Sequence, residues 1–153
     1  MAGTLSARVH GDHKQIIGPA TVAQNPSADI TIPFATPNSP GGVQIIGANL
    51  YIATTVATQG TNYLTVKIVK IASNGSGAVT VICSYTTNSS GGAAITASAK
   101  NAMTLAAAAV ADARVASTDL LAILLDYATT THVALDQLVV ELLMTPGATG
   151  DLS

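Results

Sequence analysis

Alternating apolar and polar positions are the main structural signal of the sequence, and they predict β-strands. Residues 63–71 read Tyr-Leu-Thr-Val-Lys-Ile-Val-Lys-Ile, so Leu64, Val66 and Ile68 fall on one face. A period of two residues is typical of a half-buried strand. Residues 120–127 are instead a nearly continuous apolar run, which has the length of a buried strand. Further strand-like stretches lie at residues 43–57, 78–85 and 133–144.

Turn sequences separate these strands. Asn74-Gly75-Ser76-Gly77 follows residues 63–71, and Asn-Gly favours a tight hairpin because both residues tolerate positive φ. A second turn is predicted from Asn88 to Gly92. The return strand of the hairpin is predicted to share one face among Val79, Val81, Cys83 and Tyr85. The last strand is predicted to share one face among Leu138, Val140 and Leu142.

Residues 99–114 leave two interpretations open. Four alanines at 106–109 favour a helix on intrinsic propensity. The flanking stretches 94–97 and 103–105 favour short strands and loops among small residues. We prefer strand and loop, and the helix stays the alternative.

About seven or eight short strands without alternating long helices predict an all-β fold. The architecture we expect is an antiparallel two-sheet sandwich of jelly-roll type spanning residues 43–146. Residues 1–42 hold five of the six prolines and are interpreted as an irregular N-terminal segment, an extended arm or edge segment in which short strands at 14–17 and 29–32 are allowed. The alternative is a loop-rich start of the same domain. Residues 147–153 form a polar C-terminal tail.

A shortage of charge changes the functional picture. Charged residues make up 9% of the chain, against about 25% in an average soluble domain. None occurs at residues 30–66 or 71–99, and the net charge is −2. Nucleic acid is therefore not an expected partner, because binding it requires clustered basic residues. Long neutral stretches instead suit a subunit whose surface is covered by other subunits.

Membrane and secretory functions are not indicated by the sequence. There is no apolar stretch of about 18 residues, so no membrane-spanning helix is predicted. The start of the chain lacks a basic segment followed by an apolar one, so no signal peptide is predicted and synthesis in a cytoplasm is expected.

The best cluster of metal-binding residue types lies near the N-terminus. His10, Asp12 and His13 combine two imidazoles and a carboxylate, the donors that a divalent metal accepts. They are weak candidates, because Gly11 loosens the spacing and a solvated turn explains them as well. A site would require His132 or Asp29 to lie adjacent.

No other motif predicts catalysis or a cofactor. Cys83 has no basic residue within ten positions, so a buried packing role is expected rather than a reactive thiolate. An acid–base pair would have to come from Asp112, Asp119, Asp126, Asp136 and Glu141. Asp119 is instead interpreted as a turn residue, and Asp126 and Asp136 as residues at the ends of the last hairpin. Phosphate-binding and dinucleotide-binding glycine patterns are absent from the sequence. The chain is therefore expected to be non-enzymatic, with no catalytic residue and no cofactor.

From residue 43 to residue 143 the order of these features resembles small β-sandwich proteins of tailed-bacteriophage virions. The stretches that carry the resemblance are Thr61-Asn62-Tyr63-Leu64-Thr65-Val66, the turn at 74–77, Val115-Ala116-Ser117-Thr118-Asp119-Leu120-Leu121 and residues 135–143. The family is that of capsid decoration or cement proteins, in which a glycine is usual where this chain has Thr118. The resemblance implies a homotrimer on the outer capsid surface of the virion that binds the major capsid protein and clamps neighbouring capsomers. It implies no catalytic residue.

Two other functions stay open at this stage. A receptor-binding or adhesin-like sandwich of a phage fibre or spike would need an exposed ligand pocket, preferably lined by tyrosine and aspartate. An enzyme on the same scaffold would depend on the histidines near the N-terminus. The sequence does not identify interface residues.

Overall fold

Antiparallel β-strands build the whole of the described fold. A computed structural model describes residues 13–23, 29–34, 42–72, 78–106, 114–129 and 134–146. Within these ranges the chain forms ten strands and no helix. Their bounds are β1 His13–Val22, β2 Ile30–Phe34, β3 Val43–Tyr51, β4 Leu64–Ile71, β5 Val79–Thr86, β6 Asn101–Ala102, β7 Thr104–Leu105, β8 Arg114–Val115, β9 Leu120–Tyr127 and β10 Leu135–Pro146. The predicted all-β class is confirmed.

Two sheets pack against each other, which confirms the predicted antiparallel sandwich. Sheet A has the order β1-β10-β3, and both β6 and β8 pair with the free side of β3. Sheet B has the order β2-β9-β4-β5-β7. The strands pair in a nested order: β1 with β10, β2 with β9, β3 with β8 and β4 with β5. The first strands of the chain therefore lie beside its last strands. These four pairs alternate between the two sheets along the chain.

The core lies between the sheets and is aliphatic. In β4, Leu64, Val66 and Ile68 are at most 1% exposed, and they face inward as the alternation predicts. In β10, the predicted inward residues Leu138, Val140 and Leu142 are fully buried. A buried aliphatic side chain of this size contributes about 1.5–3 kcal/mol through removal of its surface from water. The period-two pattern therefore identified the inner faces of both strands correctly.

A β-bulge in β5 overturns the face predicted for that strand. Ile68 pairs with Cys83, whereas the next residue of β4, Val69, pairs with Val81, so Ile82 is an extra residue. Past such an insertion the alternation of faces is reversed. Cys83 and Tyr85 consequently lie on the inner side of the sheet, and Val79 and Val81 lie on its outer side.

The described part of residues 1–42 belongs to the sandwich as edge strands, so the interpretation as an edge segment is confirmed and that as an irregular arm is corrected. Strand β1 pairs with β10 over nearly its whole length, and β2 pairs with β9. Both are edge strands, and each contains a proline, Pro19 in β1 and Pro33 in β2. Proline is compatible with an edge because it lacks the amide hydrogen that an interior strand donates. The predicted tail at 147–153 lies outside the described residues.

Residues 101–106 cross from one sheet to the other. Strand β6 pairs with β3 in sheet A, and β7 pairs with β5 in sheet B. Between them the Met103 amide donates to the Ala48 carbonyl at 2.9 Å, and the Ala106 amide donates to the Ile82 carbonyl at the same distance. Strand and loop are therefore correct for residues 99–106, and residues 107–113 lie outside the described ranges.

A buried asparagine organises the loop before this crossover. The Asn101 side chain is 6% exposed. Its Nδ2 donates to the carbonyls of Leu50, Thr96 and Ala99 at 3.2, 3.0 and 2.9 Å. Its Oδ1 accepts from the Thr96 amide at 2.8 Å. The side chain thus fastens the loop at 96–99 to β3 of sheet A.

Candidate interaction surface

The proposed metal-binding residues do not form a site in the described part of the chain. His10, Asp12 and His132 lie outside the described residues. His13 begins β1, where its backbone pairs with that of Met144 in β10. Asp29 accepts a hydrogen bond from the Tyr127 amide at 3.0 Å. Across the described residues, no three histidine, cysteine, aspartate or glutamate side chains come together.

Cys83 is a packing residue, as predicted. Its thiol is free and its side chain is fully buried in the core. Burial raises the pKa of the thiol from 9.0 to about 12. Because the thiolate is the nucleophilic form, this cysteine is unreactive near neutral pH.

Asp126, Asp119 and Glu141 have structural partners among the described residues. Asp126 pairs with Lys67 across β9 and β4. Asp119 accepts from the Ala116 amide at 3.0 Å and closes the turn before β9. Glu141 accepts from Asn49 Nδ2 at 2.8 Å and lies 3.5 Å from Lys14 Nζ. Asp136 is half-buried in β10, and Asp112 lies outside the described residues.

The outer face of sheet B carries a contiguous apolar surface at one end. Strand register places Ile71 directly between Leu120 of β9 and Val79 of β5. The adjacent row places Ala122 and Val69 between Pro33 of β2 and Val81 of β5. We call these two rows the outer patch, with the members Pro33, Val69, Ile71, Val79, Val81, Leu120 and Ala122.

Exposure differs sharply among the members of the outer patch. Val69 and Ala122 are at most 1% exposed, yet they do not belong to the core cluster between the sheets. Around them, Val79 is 54% exposed and Leu120 is 40% exposed. Large exposed aliphatic side chains that adjoin one another, rather than standing singly, mark an interaction surface.

A polar border limits the outer patch on one side. The next row along sheet B contains Lys67 and Ser84, with Leu124 beside them. Beyond it the Thr65 hydroxyl donates to the Thr86 hydroxyl at 3.1 Å. An apolar centre with a polar, partly charged rim is the usual anatomy of a protein interface.

The outer face of sheet A differs in its chemistry. The Glu141 carboxylate lies at the centre of this face, where it accepts a hydrogen bond from Asn49 and pairs with Lys14. Ile16 and Ile46 are exposed there, at 69% and 43%, but they occupy different strands on either side of this polar group. The two faces of the sandwich are therefore not equivalent, because the apolar residues of sheet B are contiguous and those of sheet A are separated by a polar group.

Sequence reasoning predicted a neutral, covered surface between residues 29 and 100, but it did not identify the outer patch. Val79 and Val81 were expected to share a face with Cys83, and the bulge at Ile82 places them on the opposite, outer face. One local signal was present: the outer positions of β4 change from Thr65 and Lys67 to Val69 and Ile71.

Comparison with known proteins identifies no relative. No protein-family model, curated protein or solved structure matches this chain. Among the described residues there is no helix of the length and hydrophobicity needed to cross a membrane. Support for a function therefore comes from the geometry of the chain itself.

Proposed function

We propose that the protein is a non-enzymatic structural subunit of a bacteriophage virion that decorates the outer capsid surface. The outer patch is the observation that carries the proposal, because it groups apolar residues on the outer face of sheet B and leaves Val79 and Leu120 54% and 40% exposed. In this function it packs against the major capsid protein or a neighbouring copy, and the sandwich acts as a clamp between capsomers.

The strand order supports this proposal. The pairs β1·β10, β2·β9, β3·β8 and β4·β5 alternate between the sheets, as in a long hairpin that is wrapped into two layers. Such wrapping is the topology of a jelly roll, an architecture found in viral capsid and lectin domains. Edge strands that contain proline resist uncontrolled sheet extension, so association through a sheet face is favoured over association through an edge.

The low content of charged residues in the chain also supports the proposed assembly role. Apolar burial gains about 25 cal/mol for each Å² removed from water, and an interface centre poor in charge avoids the cost of desolvating ions. In a symmetric trimer the same contact occurs three times in each assembly, so modest contacts add up through effective concentration.

Lysine substitution in the outer patch tests the proposal. Val79→Lys and Leu120→Lys place a charge in the apolar centre, and an unpaired charge there is expected to weaken association at least about 100-fold. Ile16→Lys is the matched control, because Ile16 is more exposed and lies on the opposite sheet. Sedimentation velocity measures self-association, and co-sedimentation with capsids that lack the protein measures capsid binding.

Capsid rupture tests the clamping role directly. Particles that carry the protein should rupture at a higher temperature than particles without it, and particles incubated with Leu120→Lys should behave like the latter. A wild-type chain that stays monomeric and does not bind capsids would overturn the proposal. Equal loss of association in Ile16→Lys would overturn the assignment to sheet B.

A further inference from the structure

A second surface feature lies apart from the outer patch, at the side of the sandwich where the chain crosses between the sheets. It is an open cleft of about 730 Å³ between the end of β5, the loop at 91–100 and the short strands β6 and β7. A cleft of this volume accommodates a small organic ligand rather than a single ion. No residue of the outer patch lines it.

The walls of the cleft are held in place by internal hydrogen bonds. The Tyr85 hydroxyl donates to the Ala94 carbonyl at 2.8 Å, and the Ala93 amide donates to the Thr86 carbonyl at 3.1 Å. Asn101 fixes the far side of the loop through its four contacts. Gly92 sits so close to β5 that a Cβ atom would lie 2.1 Å from the Thr86 carbonyl oxygen. The cleft is therefore preorganised, which lowers the entropy cost of binding.

The lining is rich in hydroxyl groups. Ser84 and Thr104 lie directly opposite each other on β5 and β7, and Thr96 contributes a third hydroxyl from the loop. None of these three side chains makes a hydrogen bond to another described residue, whereas the Thr86 hydroxyl accepts from Thr65 and from the Asn88 amide. A hydroxyl both donates and accepts, so three such groups match the hydroxyls of a sugar.

One positive charge accompanies these hydroxyls. Lys100 is the single charged residue among the described residues that line the cleft. It is exposed and forms no ion pair with any other described residue. A carboxylate there would gain a charge-assisted hydrogen bond with no competing acid in the lining.

We propose that this cleft binds a saccharide that bears a carboxylate, with Lys100 pairing with the carboxylate and Ser84, Thr96 and Thr104 bonding the sugar hydroxyls. Tyr85 also lines the cleft, and its hydroxyl is held by the Ala94 carbonyl. This binding activity is separate from the proposed assembly role, because no member of the outer patch lines the cleft, which meets only its polar border at Ser84.

Titration of isotope-labelled protein with matched sugars tests the inference. Glucuronic acid and sialyllactose are the acidic probes, and glucose and lactose are their neutral counterparts. At about 10 mM sugar, amide shifts confined to residues 84–104 are expected for the acidic probes. Loss of one charge-assisted hydrogen bond weakens binding about tenfold, so Lys100→Gln should reduce the affinity by that factor.

Variants separate a specific site from non-specific attraction. Lys14→Gln removes an exposed lysine elsewhere and should leave binding unchanged, while Thr104→Val should weaken it without changing the charge. Equal shifts with acidic and neutral sugars would overturn the role of Lys100. Absence of shifts in the cleft with all four probes, or equal effects of Lys100→Gln and Lys14→Gln, would overturn the site.

Discussion

Asn101 is the polar group on which the folded state is expected to depend most. Replacement by alanine removes three donor contacts, to the carbonyls of Leu50, Thr96 and Ala99, and one acceptor contact from the Thr96 amide. The site is buried, so water does not replace these partners without disturbing the loop. The crossover from β6 to β7 begins at this residue, and the replacement leaves only backbone pairing to hold it on β3.

The size of the effect follows from the hydrogen bonds. Each contributes about 0.5–1.5 kcal/mol net, and a buried partner left unsatisfied costs about 1–3 kcal/mol. Because two Nδ2 hydrogens serve three carbonyls, the contacts do not add fully. We expect Asn101→Ala to lower the free energy of unfolding by about 3 kcal/mol. Asn101→Asp should cost at least as much, because a carboxylate would face three carbonyl oxygens.

Urea denaturation at constant temperature measures the effect as a shift of the midpoint at unchanged slope. Asn62→Ala is the matched control, because Asn62 is half-buried and its Oδ1 accepts a single hydrogen bond, from the Thr129 hydroxyl at 2.8 Å. Its loss should be below about 1 kcal/mol. A loss for Asn101→Ala that is no larger than that of the control would refute the reasoning.

Two further predictions concern alkaline pH and the core. Burial raises the pKa of Cys83 from 9.0 to about 12, and burial together with the charge of Asp29 raises the pKa of Tyr127 from 10.0 to about 12. The unfolded chain loses these protons at a lower pH than the folded protein does. The free energy of unfolding should therefore be level below pH 9 and fall from pH 9 to pH 12. Cys83→Ala removes the group with the lower unfolded-state pKa, so the fall should then begin at pH 10. A flat urea midpoint across this range would contradict the assignment. Ile68→Ala should lower the free energy of unfolding, measured by thermal denaturation, by about 2–5 kcal/mol. Ile16 is 69% exposed, so Ile16→Ala should change it by less than about 0.5 kcal/mol. Similar losses in the two variants would contradict the placement of Ile68 on the inner face of β4.

The outer patch illustrates how far a candidate surface is predictable from sequence. Val69 and Ile71 continue the outer face of β4 after Lys67, and this change toward apolar residues is visible locally. Their neighbours Leu120 and Ala122 lie about fifty positions away along the chain and join them only through pairing of β9 with β4. A row across a sheet is a property of register, and register depends on hydrogen bonds between distant segments.

The cleft beside β5 shows the same dependence. Its residues are individually ordinary threonines, a serine and one lysine, with no motif spacing. They meet because β6 and β7 belong to different sheets and the loop at 91–100 is tied to both. Loop position was decided by Asn101, whose bond to Leu50 spans 51 residues.

Sequence alone determined the strand class of the chain, the turn at 88–92 and the inner faces of β4 and β10, because alternation and turn propensity act within a few residues. Tertiary structure decided the pairing of early strands with late ones, the incorporation of β1 and β2 into the sheets, and the bulge at Ile82. The bulge illustrates the physical reason most directly. Nothing near Ile82 in the sequence specifies an inserted residue; it appears only in the register with β4, where Cys83 pairs with Ile68 but Val81 pairs with Val69, and it turns Val79 and Val81 outward.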